Sequence, residues 1–424
     1  MTLPNLTTTA PLTQRRTWSI VFVCAVILLI KSLTISHDPV HFPLWAEDGI
    51  IFIKHSLEHG FSSITTPYAG YLHVITRILS QLCVSVLPLE NLPCGFFWVS
   101  FIIPLAVFAY VLSTPNIPLF IRLLIPVSVL FSPTDGEVFF TLTNTHWIIA
   151  LIYPIILFHA CTQTWRETAI TSFIISAIGI NDPHIFIAYP FFIGRIYRFK
   201  NCNREKMIFL AASIAFIIQA LTLSLSPTSP TMQAETYPDL PTWAKWVLPA
   251  FLPFASLFTG PNLLRFAFNH SIFAIGIGIA LCLLYATILA AFHSAGKKIF
   301  LCMLPYFLFG VLSYASTLFR YRSDPGMFIY SGINRYFFLP EVLFTVSLSF
   351  LIVSSRPFAR RVGLISLSII LIAGIASFSC NGRIDNEWQQ RISELQRNNS
   401  TTVKISPGSE WDLQLRLPFT SKHR

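Results

Sequence analysis

The residues best suited to proton transfer lie in one short segment near the N-terminus. Residues 37–49, HDPVHFPLWAEDG, contain three carboxylates and two histidines, although the whole chain has only 19 Asp and Glu residues. Glu47 and Asp48 stand directly before an amphipathic pattern over residues 50–58, which predicts a helix along a membrane surface. A carboxylate at a lipid–water boundary can serve as a general base. The alternative is that both carboxylates only cap the N-terminus of this helix.

A second polar group precedes a later apolar run. Asp135 and Glu137 are followed by Asn144, His146 and Trp147, and the last three stand where that run begins. Asn144 and His146 can bind a polar group of a substrate. Trp147 belongs either to the same site or to the belt of aromatic residues that anchors membrane proteins at the interface.

Arginines form the third candidate group. Arg320 and Arg322 follow one apolar run, and Arg335 opens the next. A guanidinium offers a planar set of donors that suits phosphate. Arg335 is the preferred phosphate ligand because it stands at the start of a run, between Gly332 and Tyr336. The alternative for Arg320 and Arg322 is contact with lipid headgroups.

Two further charges, Lys31 and Arg77, fall inside or near the ends of apolar runs. Ionisable residues at membrane depth are candidates for function. Lys31 could equally extend its amine to the interface.

Membrane helices must position these candidates. Of the 424 residues, 54% are hydrophobic and 11% are charged, with a mean hydropathy of +0.63, whereas soluble proteins average about 25% charged residues. Apolar runs recur from residue 18 to residue 378, and helices are the only spanning structure that this pattern supports. We therefore predict an all-α polytopic membrane protein with roughly ten to twelve transmembrane helices. The run at 117–132 is the one least suited to cross, because it contains Arg122 and two prolines lie at or just before its start.

The distribution of basic residues predicts the orientation. The net charge of +10 comes mainly from short clusters between apolar runs, including residues 195–206, 297–298 and 356–361. This pattern favours cytoplasmic loops over nucleic-acid binding. Residues 36–67 then form an outer loop, and a transmembrane domain of residues 1–380 precedes an outer tail of residues 381–424. In the tail, residues 385–397 favour a short helix, and alternation in residues 411–417, with Val403 and Ile405 before a Pro-Gly turn, favours a β-hairpin.

Several function classes lack their motifs in this sequence. The eight cysteines form no CxxC pair, which argues against a zinc site or a disulfide framework. The P-loop, the dinucleotide-binding glycine motif, HExxH and the serine nucleophile elbow are absent too. A nucleotide-driven enzyme is therefore not expected.

Two motifs and the layout of the chain carry a family resemblance. WAEDG at residues 45–49 lies on the first outer loop, and a surface helix and PYAGY at residues 67–71 follow it. This arrangement resembles the bacterial membrane glycosyltransferases of the GT-C superfamily. Within that superfamily, the length and hydrophobicity are most similar to the phage-type serotype-converting O-antigen glucosyltransferases.

The resemblance implies a sugar donor, expected to be glucose on undecaprenyl phosphate, and a lipid-linked glycan acceptor such as O-antigen. Transfer would take place at the periplasmic face of the bacterial inner membrane, without a cofactor. Some relatives use a divalent metal, but a monophosphate donor and the arginines make a metal unnecessary here. A donor synthase and a donor flippase would be functional partners. An acidic residue of the first outer loop is the expected base, and both Glu47 and Asp48 match that position. The expected phosphate ligands are Arg335, Arg320 and Arg322, and the expected substrate contacts are Tyr68, Tyr71, Asn144, His146 and Tyr336.

Two other functions would also use outer arginines. A transporter or flippase of a lipid-linked sugar would more often show paired mid-membrane charges and two related halves, and the sequence shows no such repeat. An O-antigen polymerase or ligase would place its polar residues in a large late outer loop, whereas here the first loop is the rich one.

Overall fold

The structure is a computed structural model that describes residues 12–36, 42–114, 119–133, 137–158, 164–226, 251–260, 263, 266, 271–320, 335–379, 383, 386–405 and 411–417. The described chain is a helical bundle that carries one two-stranded sheet. The α-helices in chain order are α1 (Gln14–Ile35), α2 (Lys54–His59), α3 (Val74–Val86), α4 (Leu92–Ser113), α5 (Leu119–Leu130), α6 (Thr145–Ile149), α7 (Ile152–Phe158), α8 (Trp165–Gly179), α9 (Ile185–Arg198), α10 (Asn203–Leu225), α11 (Phe251–Gly260), α12 (Ser271–Ala295), α13 (Lys297–Arg320), α14 (Arg335–Ser349), α15 (Pro357–Ala376) and α16 (Trp388–Asn398).

Six helices among the described residues are long and apolar enough to cross a membrane: α1, α4, α10, α12, α13 and α15. The chain is thus a helical, membrane-embedded protein, and the estimate of ten to twelve spans stays a prediction. Helix α5 occupies the run at 117–132, which the sequence marks as the one least suited to cross the membrane. It has 12 residues, which gives a length of about 18 Å, well short of the roughly 30 Å hydrocarbon core.

The described helix ends place the basic clusters and the first outer loop at opposite ends of the bundle. Helix α13 begins at Lys297 and ends at Arg320, whose Nη2 donates a hydrogen bond to the Ala69 carbonyl oxygen over 2.7 Å. Helix α10 begins beside the basic residues at 198–206, and near its other end Gln219 accepts a hydrogen bond from the Leu72 backbone over 3.0 Å. Residues 69–72 therefore lie at the end of the bundle away from these cations.

Residues 42–73 form an amphipathic cover on that end. A π-helical segment, Asp48–Ile53, leads into α2, and a 3-10 turn, Gly60–Thr65, follows. Phe52 and Ile53 are fully buried in this cover. The predicted helix is present, and its first part is π-helical, which is wider than an α-helix. Its position along a membrane surface stays a prediction.

The tail packs on this cover. Strand β1 (Ser400–Val403) pairs antiparallel with β2 (Leu413–Arg416), so the predicted hairpin is confirmed. The side chain of Ile405 faces Gly49 so closely that an added Cβ there would lie 3.1 Å away. Asn386 bridges the two parts, since its Oδ1 accepts from the Leu44 N–H over 2.6 Å and its Nδ2 donates to the Lys404 carbonyl over 2.6 Å. The tail thereby fixes the position of the first loop.

A buried ion pair fixes the α9–α10 hairpin at its basic end. Arg195 donates from Nε and Nη2 to the two carboxylate oxygens of Glu205, at 2.7 and 2.9 Å, and from Nη1 to the Leu157 carbonyl at 3.1 Å. A bidentate geometry of this kind offsets much of the cost of burying both charges. At the other end of α9, residues 180–184 connect it to α8.

Candidate active site

A tight turn sets the direction of Glu47. The Asp48 N–H donates to the Trp45 carbonyl over 2.9 Å, and the Gly49 N–H donates to the Ala46 carbonyl over 3.2 Å. Ala46 has φ of 36°, in the left-handed region that alanine adopts only at a cost of roughly 1–3 kcal/mol. The chain therefore accepts local strain at the residue that precedes Glu47.

Glu47 is buried, with 3% of its surface exposed, and its two carboxylate oxygens have different surroundings. Oε1 lies 3.2 Å from Nη1 of Arg335 and accepts a hydrogen bond from the Tyr68 hydroxyl over 3.4 Å. Oε2 has no hydrogen-bond partner among the described residues. One oxygen thus holds the side chain in place, and the other can accept a proton.

Arg335 lies between two carboxylates. Its Nη1 is 3.2 Å from Oε1 of Glu47 and 3.2 Å from Oε1 of Glu137. The guanidinium also lies over the Tyr336 ring, 5.3 Å from the centroid. A buried carboxylate is unfavourable without a counter-charge, and Arg335 supplies one beside Glu47.

Asp48 has a different environment from its neighbour. Its Oδ1 accepts from the Thr143 N–H at 2.8 Å and from the Thr143 hydroxyl at 2.6 Å, and its Oδ2 accepts from the Leu142 N–H at 3.0 Å. Burial raises the pKa of Asp48 to about 6, and these hydrogen bonds oppose the rise. Both oxygens are therefore engaged in joining the first loop to residues 142–143. Neither Glu47 nor Asp48 makes a side-chain hydrogen bond that caps the helix, so the capping alternative is wrong.

Arg383 supports the same junction from the tail. Its guanidinium donates to the carbonyl oxygens of Phe139 at 2.6 Å, Phe140 at 3.0 Å and Pro43 at 3.2 Å. It also lies over the Trp45 ring, 5.4 Å from the centroid. Burial lowers the pKa of Arg383 to about 10, and the charges of Asp48 and Glu137 oppose that shift. Sequence reasoning missed this residue, although it is an arginine at the start of an outer tail.

Aromatic and imidazole rings close the site around Glu47 and Arg335. We call these rings the aromatic wall: Tyr68, Tyr71, His73, His146, Trp147 and Tyr336. Successive ring centroids lie 5.7 Å apart for Tyr68 and His73, 5.7 Å for His73 and His146, 4.9 Å for His146 and Trp147, and 5.5 Å for Trp147 and Tyr336. Since Tyr68 bonds Glu47 and Tyr336 adjoins Arg335, the contacts form a closed ring of side chains.

Several buried polar atoms of the aromatic wall are available to a polar ligand. Both ring nitrogens of His73, Nε2 of His146 and Nε1 of Trp147 have no hydrogen-bond partner among the described residues. Nδ1 of His146 lies 2.6 Å from the Thr143 carbonyl, so Nδ1 carries the proton and Nε2 is an acceptor. Each such atom costs about 1–3 kcal/mol when it stays unpaired. A polar ligand between these rings would remove that cost.

The remaining predicted substrate contacts have separate positions. Asn144 donates from Nδ2 to the Glu137 carbonyl over 2.7 Å, which shapes the turn before α6. Arg320 lies 5.9 Å from the Tyr71 ring centroid and so borders the aromatic wall. Arg322 lies outside the described residues.

The two intramembrane charges lie apart from this ring. Lys31 has 1% of its surface exposed, and its amine lies 3.4 Å from the Leu130 carbonyl and 3.9 Å from the Phe139 ring centroid. The amine is therefore enclosed by protein atoms. Arg77 lies against His55, with Nη1 3.4 Å from Nδ1, and supports the first loop from beneath.

One further polar segment borders the site, and sequence reasoning missed it. Asn181 accepts hydrogen bonds from the backbone N–H groups of Ile75 at 2.8 Å and Thr76 at 3.2 Å, which fixes the start of α3. His184 lies 4.9 Å from Trp147, centroid to centroid. The signal was available, since Asn-Asp-Pro-His at 181–184 interrupts two apolar runs at the end predicted to face outward.

Comparison of the chain with family models, with curated proteins and with solved structures gave no match.

Proposed function

We propose that the protein is a glycosyltransferase that moves a sugar, glucose in the first instance, from undecaprenyl phosphate to a hydroxyl of a lipid-linked glycan such as O-antigen. The observation that carries this proposal is the buried Glu47, whose Oε1 is held by Arg335 and Tyr68 while Oε2 has no partner among the described residues. A fixed carboxylate with one available oxygen is the arrangement that a general base needs.

The proposed reaction exchanges one bond to the anomeric carbon for another. The acceptor oxygen attacks the anomeric carbon, the bond from that carbon to the phosphate oxygen breaks, and Glu47 Oε2 takes the acceptor proton. The products are a glycoside and undecaprenyl phosphate. No nucleotide is consumed, in agreement with the absence of nucleotide motifs from the sequence.

Protonation of Glu47 changes the charge that surrounds Arg335. Before reaction, two carboxylates, Glu47 and Glu137, share the single positive charge of Arg335. When Glu47 accepts a proton it becomes neutral, and the field of the guanidinium then acts on the negative charge that develops on the leaving phosphate. Such a preorganised cation stabilises a transition state more than the ground state. Arg320, beside Tyr71, is the second proposed phosphate contact.

We assign different roles to the two neighbouring carboxylates. Glu47 is the proposed base, and Asp48 is a structural acceptor because its oxygens receive hydrogen bonds from Leu142 and Thr143. Tyr68, Tyr71, His146 and Tyr336 are proposed substrate contacts through the aromatic wall.

The proposed location is the periplasmic face of a bacterial inner membrane. Support comes from the basic residues at 195–206 and 297–298, which lie at the end of the bundle opposite to residues 69–72. Cytoplasmic loops carry an excess of Lys and Arg, so the site would face the other compartment.

The test is transfer of labelled glucose from undecaprenyl-phosphate glucose to lipid-linked O-antigen in membranes that contain the full chain. We expect transfer with the wild type and at most background with Glu47→Gln. Movement of the intact donor across the bilayer without any transfer would instead favour a transporter or flippase.

A further inference from the structure

The connection between α8 and α9 lies beside the aromatic wall, since His184 contacts Trp147. Helix α8 has 15 residues and α9 has 14, so each is about 21–22 Å long, shorter than the roughly 30 Å hydrocarbon core. Two such helices do not span the full hydrocarbon thickness. Asn181 Oδ1 accepts hydrogen bonds from the backbone N–H groups of Ile75 and Thr76 at the start of α3, and Asn181 and Asp182 are both fully buried.

Asp182 is held there by one oxygen only. Its Oδ1 lies 2.6 Å from Nδ1 of His184 and accepts from the His184 backbone N–H over 3.1 Å. Nε2 of His184 lies 2.8 Å from the Ser313 hydroxyl. His184 is thus fully paired, and it orients Asp182.

The second oxygen of Asp182 has no partner. Asp182 is 0% exposed, and Oδ2 makes no hydrogen bond among the described residues. The carboxylate lies within electrostatic range of Tyr71 and His146 of the aromatic wall. His184 also contacts Trp147 of that wall. A buried carboxylate with an unpaired oxygen is strongly unfavourable unless a donor reaches it.

The unpaired atoms in and beside this connection include both acceptors and donors. The acceptors are Oδ2 of Asp182 and Nε2 of His146, and the donors are Nε1 of Trp147 and Nδ2 of Asn181. A phosphate can only accept at neutral pH, and a carboxylate beside it would repel it. A hydroxyl both donates and accepts, and the apolar C–H groups of a sugar ring can pack on aromatic rings.

We propose that Asp182, with His146 and Trp147, binds hydroxyl groups of the donor's sugar ring, so that the sugar lies over residues 181–184 and its phosphate lies towards Arg335 and Arg320. This assignment rests on the proposed function for the identity of the ligand, a hexose on a lipid phosphate. It gives the site two chemically distinct ends. The end at Asp182 binds the sugar, and the end at Arg335 binds the phosphate.

The test compares two lipids that differ only in the sugar. Affinities of undecaprenyl-phosphate glucose and undecaprenyl phosphate for the full chain in lipid nanodiscs are measured by tryptophan fluorescence. The wild type should bind the glucosylated lipid more tightly. Asp182→Asn should weaken binding of the glucosylated lipid about 10- to 100-fold, as expected for a hydrogen bond to a charged group, and leave undecaprenyl phosphate within about twofold.

Two further variants complete the test, one as a control and one as an independent probe of the same site. Ser393→Ala changes an exposed side chain of α16, outside this network, and should leave both affinities as in the wild type. Trp147→Phe keeps an aromatic ring and removes one donor, so it should weaken only the glucosylated lipid, by about 3- to 10-fold. It therefore tests the proposal even when Asp182→Asn does not fold.

The outcomes separate this inference from the proposed reaction. Equal affinity of the wild type for both lipids, equal losses for both lipids in a folded Asp182→Asn, or unchanged discrimination in the folded variants would overturn the sugar assignment. Discrimination that depends on Asp182, in a chain that transfers no glucose, would retain the binding site and remove the proposed reaction.

Discussion

Replacing each of the two adjacent carboxylates by its amide should separate catalysis from folding. Glu47→Gln keeps the side-chain length and an oxygen that can accept from Tyr68 and Arg335, but it removes the basic oxygen. Asp48→Asn keeps the shape of a side chain that accepts three hydrogen bonds. We expect the first variant to fold and lose transfer, and the second to lose stability.

The structure sets the size of both effects. Loss of a general base reduces rates by about 10²- to 10⁴-fold, equivalent to about 3–5 kcal/mol in the barrier. The cost of Glu47→Gln in folding stays small because Arg335 retains Glu137, 3.2 Å away. In Asp48→Asn, one oxygen becomes an NH₂ group that faces a backbone N–H, so at least one buried donor is left unpaired. That change costs about 1–3 kcal/mol in the free energy of unfolding.

The assay measures glucose transfer in membranes and thermal unfolding of the same variants in detergent. Glu137→Gln is the matched control, since it also removes one carboxylate from Arg335 but leaves Oε2 of Glu47 in place. It should retain most of the transfer rate. A fully active Glu47→Gln would refute the assignment of the base. An Asp48→Asn that unfolds like the wild type and yet transfers no glucose would move the base to Asp48.

Three further predictions concern stability. Burial and the neighbouring Arg77 charge lower the pKa of His55 to about 4. Between pH 6.5 and 4 the unfolded chain therefore binds a proton at His55 that the folded chain does not, so stability falls as the pH falls. The unfolding temperature should decrease through this window more in the wild type than in His55→Gln. Asn386→Ala removes both bridging hydrogen bonds between tail and first loop and should cost about 2–4 kcal/mol, seen in thermal unfolding with a parallel loss of transfer. Gly374→Ala would place a methyl group against the Phe131 carbonyl and should sharply reduce the yield of folded protein in size-exclusion chromatography.

Matched controls accompany the last two variants. Ser393 lies on the exposed face of α16, and Ser393→Ala should unfold like the wild type. Gly276 in α12 has open space where a Cβ would lie, so Gly276→Ala should leave the yield unchanged or raise it, as alanine favours helices. If Asn386→Ala behaved like Ser393→Ala, the tail would have no role in holding the first loop. A normal yield of Gly374→Ala would show that α15 can shift away from residue 131.

The features predicted from sequence are those that depend on local pattern. The membrane helices follow from apolar runs, the outer position of Glu47 is expected from basic clusters, and the β-hairpin follows from the alternation at residues 411–417. The helices and the hairpin depend on neighbours within about twenty residues, whereas the outer position of Glu47 depends on the side assigned to distant basic clusters. Hydropathy and periodicity report such short-range preferences directly.

The roles within the site depend on contacts that no local pattern reports. Glu47 and Asp48 are adjacent, yet the turn at Ala46 sends one to Arg335 and the other to residues 142–143. The partner of Glu47 lies 288 positions away in sequence. The interruption of two apolar runs at residues 181–184 is visible in the sequence, but the burial of Asp182 follows only from the helices that pack around it.

The contact of the tail with the first loop also has a consequence for biosynthesis. Ribosomes deliver the chain from its N-terminus, so Glu47 enters the membrane region long before residues 386–417 exist. Until those residues arrive, Leu44 lacks its Asn386 partner and Gly49 lacks the cover of Ile405. The first loop therefore reaches its final geometry only as a late event, and an unfinished chain carries Glu47 and Asp48 in a loop that lacks these contacts.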